Sequence, residues 1–192
     1  EVLIGNTART QNIQASVSGG SAQTQFLLSG NYQRETTVFP GDYNYNRFNI
    51  NSNVNHSSVD DRFNLLFNVA YAIEKNNLPK VDFSSRVATL PPNAPALYDE
   101  NGEVNWENST WRNPIAAKES IYKNRTNTLL SNAVLSYAPF KNIITKLNLG
   151  YGNTLLDELF TRPHTINDPA RNFTSSSSTM STNKNILEHY IV

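Results

Sequence analysis

The stretch FNLLFNVAYAI, residues 63–73, alternates between two kinds of side chain. The even positions are small or carry amides, with Leu66 as the exception. The odd positions are all apolar: Phe63, Leu65, Phe67, Val69, Tyr71 and Ile73. Alternation with a period of two over this length predicts a β-strand with one apolar face. The fold class therefore depends on what covers that face.

The same alternation recurs along most of the chain, which predicts an all-β, antiparallel, up-and-down sheet of about seven strands. The last strand is expected to start near Asn183. The other runs are NIQASVS (12–18), TQFLLSGNYQ (24–33), NRFNINSNVNH (46–56), TNTLLSNAVLSY (126–137) and ITKLNLGYGN (144–153).

The connections between these runs alternate in length. Tight turns such as GGSA (19–22), SSVD (57–60) and PFKN (139–142) alternate with ETTVFPGD (35–42) and two long segments, about 75–120 and 158–182. In an up-and-down sheet one rim then carries only tight turns, which is typical of outer-membrane barrels. The runs also match the 9–11 residues or so that a tilted transmembrane strand needs. Residues 1–192 are thus predicted to be part of a single transmembrane β-barrel domain.

In such a barrel one face of each strand meets lipid and the other lines the lumen. The residues predicted to face lipid are Phe63, Leu65, Phe67, Val69, Tyr71, Leu129, Leu135, Leu147 and Leu149. The residues predicted to face the lumen are Asn49, Asn51, Asn53, Asn64, Asn68 and Asn148. The alternative is a one-sided sheet whose polar face is solvated.

Tyrosines fall near the ends of the apolar runs. Tyr32, Tyr71 and Tyr151 lie toward the long connections, and Tyr137 lies near a tight turn. Aromatic girdles at the two membrane interfaces have this arrangement. Tyrosine is also simply a good strand former, so the pattern has two interpretations.

Composition excludes several classes of function. The 16 Lys+Arg balance the 16 Asp+Glu, which argues against a nucleic-acid partner. The absence of cysteine excludes a disulfide scaffold and a Cys zinc site. His56, His164 and His189 are far apart and lack partners at ligand spacing, and no GxSxG, P-loop or GxGxxG occurs. We expect no enzyme activity, no metal and no cofactor.

The longest connection holds the candidate binding residues. Tyr98, Trp106, Trp111 and Tyr122 are predicted to contact a ligand or partner, or to pin the connection to itself. Within DENGEVNWE (99–107), the carboxylates are expected to flank a turn on Asn101-Gly102 rather than act as a catalytic pair. Oxygen ligands at alternate positions faintly suggest a calcium loop, but the glutamate at its twelfth position is missing.

Several of these segments resemble the SusC/RagA class of TonB-dependent outer-membrane transporters. Gln11-Asn12 followed by SVSGGS (16–21) is similar to a hairpin of that family. SGNYQRE (29–35) and Tyr45 with Arg47-Phe48-Asn49 resemble its next strands, although Thr36 stands where the family usually has glycine. PPNAP (91–95) and Asn113-Pro114 resemble its long loop. The similarity runs along nearly the whole chain.

The resemblance implies a barrel of about 22 strands with an N-terminal plug domain that TonB engages. It also implies a SusD-like surface lipoprotein over the outer face and a location in the outer membrane of a Gram-negative bacterium, in contact with its lipid. No plug domain or signal peptide is recognised in the 192 residues, and both ends look cut from a longer chain. The chain would be a wall segment.

The sequence is therefore compatible with two functions. The first is a wall segment of an importer of large nutrients, either glycan or peptide oligomers. The alternative is a secreted, non-enzymatic β-sandwich that binds carbohydrate through Trp106 and Trp111. In a barrel Phe63, Phe67 and Leu129 point away from the protein, whereas in a sandwich they are buried between two sheets.

Overall fold

A computed structural model describes residues 3–140, 142–172 and 176–191, with side chains to Leu187. Seven strands account for most of it. They are β1 (Thr10–Gly20), β2 (Thr24–Thr36), β3 (Asn44–Ser57), β4 (Phe63–Pro79), β5 (Ile121–Phe140), β6 (Ile143–Arg162) and β7 (Ser177–Ile191).

The seven strands form one antiparallel sheet in the order of the sequence. Each strand pairs with the next one along the chain, so the predicted all-β, up-and-down topology is confirmed. The sheet is open, because β1 and β7 each pair on one side only. Across the described residues there is no second sheet packed on it.

The strands extend further toward the long connections than the alternation predicts. β4 continues to Pro79, β6 ends at Arg162 and β7 begins at Ser177, so the long connections span 80–120 and 163–176. Asn76, for example, pairs with Asn124 beyond the alternating run of β4, which ends at Ile73. Backbone pairing needs no apolar side chain, so the apolar pattern ends before the strands do.

The strand pairing aligns all the apolar runs on one face. Directly paired residues share a face, and Phe67 pairs with Val54 on β3 and Ala133 on β5. This apolar face contains every residue predicted to face lipid: Phe63, Leu65, Phe67, Val69, Tyr71, Leu129, Leu135, Leu147 and Leu149. The opposite amide face contains every residue predicted to face the lumen: Asn49, Asn51, Asn53, Asn64, Asn68 and Asn148.

The buried core lies outside the sheet, at the rim of the long connections. Phe83 is 2% exposed and forms a cluster with Leu3 and Ile115. Phe39, Leu90, Leu97, Val104 and Ala117 pack around it. Phe83 opens a short helix, α1 (Phe83–Thr89), whose first turn is capped by the Asp82 carboxylate. No helix in the described residues is long and apolar enough to span a membrane.

The sheet leaves far more surface exposed than a compact chain does. The accessible surface is 13066 Å² for 21.5 kDa. A compact monomer of this mass exposes about 9,200 Å². Phe67 at 37% and Ile13 at 67% are among the exposed apolar side chains. The apolar face thus has no cover within the described chain.

The tight turn after β1 depends on Gly20, which has φ +148°. A Cβ there would lie 2.0 Å from the Thr24 carbonyl oxygen. We expect Gly20→Ala to reduce the free energy of unfolding by at least about 1–3 kcal/mol, measured by denaturant titration. Gly30→Ala is the control, because its Cβ would meet only the Asn49 oxygen at 3.9 Å. Equal losses in the two variants would contradict this account of the turn.

Candidate functional site

The amide face forms hydrogen-bonded ladders across the strands. The Asn132 side chain donates to Asn148 Oδ1 at 2.8 Å, and Asn31 donates to Asn12 Oδ1 at 2.5 Å. These pairs join β5 to β6 and β2 to β1. An asparagine in such a ladder keeps further donors and acceptors free for a third partner.

A groove of about 450 Å³ lies along the centre of the amide face. Asn53, Asn68 and Asn132 supply its polar groups, and Leu130 with Gly152 supplies an apolar part. A Cβ on Gly152 would come within 3.3 Å of Leu130 Cδ2, so glycine keeps the groove open. No carboxylate, histidine or cation is among its described lining residues. The groove can bind polar, uncharged groups but offers no acid–base pair.

A few apolar side chains interrupt the amide face. Leu66 is 43% exposed and is flanked by Asn55 on β3 and Val134 on β5. Leu27 and Leu130 are also on this face and exposed. Leu66, which breaks the polar pattern of the even positions of β4, is therefore one of several apolar side chains on the otherwise polar amide face.

A second cleft, of about 390 Å³, lies among the long connections and is cationic. Lys80, Arg86, Arg112 and Arg162 line it, together with Phe160. It is suited to attract anionic groups, because no carboxylate is among its described lining residues. These cations are scattered over the sequence from 80 to 162, which explains why no local motif reveals the cleft.

Tyr122, one of the predicted loop aromatics, contacts Lys80 of that cleft. It is the second residue of β5, lies on the amide face opposite Phe160, and its hydroxyl donates to Glu158. Lys80 Nζ lies 5.3 Å from the centre of the Tyr122 ring and 5.1 Å from that of Phe160. This geometry is a cation–π contact with two rings.

The other predicted aromatics are spread along the connection. Tyr98 pairs with Val104 in a small hairpin, Trp106 precedes the 3₁₀ turn Glu107–Ser109, and Trp111 follows it. The ring pairs of the described residues are Phe39 with Phe83 and His56 with Phe63, so the predicted aromatics do not stack on one another.

The DENGEVNWE segment forms the expected turn. The Asp99 carboxylate accepts the backbone N–H groups of Asn101 and Glu103 at 2.9 and 2.8 Å, and Gly102 has φ +80°. With its oxygen occupied by these amides, Asp99 acts as a turn residue. The described residues contain no group of three His, Cys, Asp or Glu that could hold a metal.

The histidines serve separate local contacts. His56 Nδ1 is 2.7 Å from the Thr24 hydroxyl, and the His164 backbone N–H donates to the Ser176 hydroxyl. The side chain of His189 lies outside the described residues.

Buried polar contacts hold the long connections together. Asn113, 3% exposed, donates to the carbonyls of Leu97 and Asn105 at 2.7 and 2.8 Å. Its Oδ1 accepts Ile115 N–H at 3.0 Å, which caps the 3₁₀ helix Pro114–Glu119. Burial raises the pKa of Tyr43, so its hydroxyl stays protonated and donates to the Lys118 carbonyl.

We expect Asn113→Ala to open the connection 80–120 locally. Loss of a buried hydrogen-bonding group costs about 1–3 kcal/mol. Limited proteolysis should then cut this connection faster, while the strands remain protected. Asn93→Ala, an exposed asparagine of the same connection, should change nothing. Equal cleavage rates in the two variants would show that Asn113 does not organise the connection.

Comparison with known proteins finds no matching family model and no matching curated protein.

Proposed function

We propose that this chain is a wall segment of an outer-membrane β-barrel that imports large nutrients. The apolar face would meet lipid, and the amide face would line the lumen. The observation that carries the proposal is the position of three tyrosines on the apolar face: Tyr32 on β2, Tyr71 on β4 and Tyr151 on β6.

These tyrosines follow a diagonal across the sheet. On the paired row that contains Tyr32, β4 presents Ile73, and Tyr71 lies two residues nearer the rim of tight turns. On the row that contains Tyr71, β6 presents Asn153, and Tyr151 again lies two residues nearer that rim. The shift is thus one residue per strand in both steps.

A regular shift of this kind defines a plane that the strands cross at an angle. With strands about 4.8 Å apart and a rise of about 3.3 Å per residue, each strand makes an angle of about 35° with the normal of that plane. Strands of outer-membrane barrels are tilted by about 35–45° from the membrane normal. The tyrosines therefore fit one girdle at a single membrane interface.

The tyrosine hydroxyls support the same orientation. Tyr32 donates to Asn46 Oδ1 at 3.1 Å, and Asn153 donates to the Tyr151 hydroxyl at 3.3 Å. Both asparagines lie nearer the rim of long connections than their tyrosine partners do. An interfacial tyrosine likewise directs its hydroxyl toward water and its ring toward the acyl chains.

The apolar band has a suitable height. On β4 it runs from Phe63 to Ile73. At the tilt derived above, this stretch rises roughly 27 Å, and the apolar band of outer-membrane barrels is about 25 Å tall. Leu135 pairs with Leu65 near one edge of the band, and Tyr137 pairs with Phe63 at that edge, where a second girdle is expected.

The import function and its partners rest on the resemblance to SusC/RagA transporters. The groove of the amide face would contact a passing glycan or peptide oligomer, or a plug inside the barrel. The long connections would meet a SusD-like lipoprotein on the outer side, and TonB would act through a plug domain. The organised loop core supports a role for this rim as a binding platform.

The β-sandwich alternative lacks its essential feature. A sandwich buries the apolar faces of two sheets against each other. Here the described strands form one sheet, and Phe63, Phe67, Leu129 and Leu147 are all at least partly exposed. Among the described residues, the rings of Trp106 and Trp111 do not pack against each other.

Two adjacent residues on opposite faces test the lipid contact. In the natural full-length protein reconstituted in phospholipid bilayers, Phe67→Arg should lower the free energy of unfolding by about 2–4 kcal/mol, because the side chain would enter the middle of the apolar band. Asn68→Arg should cost much less, because this position faces a polar lumen.

Two results would contradict the membrane assignment. One is an equal cost of the two arginines in bilayers. The other is a full-length protein that stays soluble and monomeric without detergent.

For the transport step, deletion of the gene should abolish depletion of one class of oligosaccharide or peptide from the medium, measured by mass spectrometry. Loss of TonB should have the same effect, and continued depletion without TonB would exclude TonB-driven import.

A further inference from the structure

Cations are in excess on the apolar face of β2–β6, although the chain has no net charge. On β2–β6 the apolar face carries four cations at the end near the long connections: Arg34, Lys75, Lys123 and Arg125. We call these four residues the basic rim. The same face of β2–β6 has one carboxylate, Asp157. The amide face of these strands is balanced: it carries the carboxylates Glu35, Glu74 and Glu158 and the cations Arg47, Lys146 and Arg162.

The basic rim lies directly beyond the tyrosine diagonal. Arg34 is two residues past Tyr32 on β2, and Lys75 is four residues past Tyr71 on β4. At a tilt of about 35° these steps rise roughly 5 Å and 11 Å. The headgroup layer of one leaflet is about 5–8 Å thick, and long basic side chains reach several ångströms back toward it. The order on this face is therefore apolar side chains, tyrosines, then cations.

Two cations of the basic rim repel each other, which destabilises the sheet unless an anion lies between them. Lys75 and Arg125 are directly opposite each other across β4 and β5. Like charges at such positions destabilise a sheet. The ion pairs of the described residues involve other cations, Arg47, Arg62 and Arg171, so none of the basic rim has a carboxylate within 4.0 Å. Asp157, opposite Arg125, instead accepts the Thr182 hydroxyl at 2.8 Å.

A groove accompanies these cations. Its volume is about 450 Å³, and Lys75, Lys123 and Arg125 line it beside Asn44, Leu159 and Met180. The carboxylates of Asp157 and Glu158 and four further asparagines also line the groove, with Asp157 on the face of the cations and Glu158 on the amide face. On the apolar face the groove thus combines three cationic heads with one carboxylate, several amides and two apolar side chains, so positive charge is in excess. This combination suits a headgroup that carries phosphate and continues into apolar chains.

From this arrangement we propose that the basic rim binds the phosphate groups of anionic membrane lipids in the leaflet next to the long connections. The site is separate from the lumen and does not contact the imported nutrient. The inference rests on the proposed function, since it requires the apolar face to lie in a membrane. A phosphate between Lys75 and Arg125 would remove their repulsion and attach the barrel wall to its lipid.

Lipid selectivity measured by electron spin resonance tests the site. The natural full-length protein is reconstituted in phosphatidylcholine vesicles with a trace of spin-labelled lipid. The protein-contacting population should favour phosphatidic acid over phosphatidylcholine by about fivefold or more at low salt, because each basic side chain near the surface contributes roughly that factor. The preference should fall as salt is raised.

The decisive variant is K75Q/K123Q/R125Q, which should bring the preference close to one. The control variant R47Q/K118Q/K146Q removes the same charge from the amide face and the long connection, and should leave the preference unchanged. Equal preference in both variants would overturn the proposal.

The proposed function and the lipid site at the basic rim are refuted by different results. If no spin-labelled lipid of either headgroup becomes motionally restricted, the apolar face does not meet lipid and the proposed function fails. If both lipids are restricted equally in the unmodified protein, the membrane assignment stands and only the basic rim is refuted. A preference that persists at molar salt would also refute it.

Discussion

A sheet with one predominantly apolar face must be covered on that face. Removing apolar surface from water is the dominant favourable term in folding, and single sheets normally meet it with a second layer. Here the register of six strand pairs gathers most of the apolar strand residues on one side, yet the described chain places nothing over them. The tyrosine diagonal and the basic rim are both on that uncovered face, and their interpretation depends on what covers it.

The protein core is at one rim instead of the sheet centre. Phe83, Leu3 and Ile115 give the long connections a hydrophobic cluster of their own, and Asn113 satisfies the backbone groups around it. The connections thus have a core of their own, and Lys80 adds a contact to the rings of Tyr122 and Phe160 on the strands. In the proposed barrel, this separation leaves the apolar face of the strands for lipid and the amide face for water, while the rim presents ordered surfaces.

Sequence reading predicted the parts that depend on local pattern. Alternation at 63–73 identified the two faces, and the lengths of the connections sorted the rims. It did not predict how far strands shift against each other, because the register across a long connection has no local signal, so the tyrosine diagonal was hidden. The cluster around Phe83 was missed too, although Asp82 followed by Phe83 and Val87 is a capped helical pattern.

The most direct test of the central claim is the environment of β4 in a bilayer. These 192 residues contain no cysteine, so in the natural full-length protein, with any cysteine elsewhere replaced by serine, single cysteines at positions 64–72 can each carry a nitroxide label. Collision rates with oxygen and with a water-soluble nickel complex then report lipid and water. The account predicts oxygen maxima at the odd positions, centred on 67, and nickel or protein contact at the even ones. Odd positions that are shielded from oxygen, or that contact nickel freely, would contradict it.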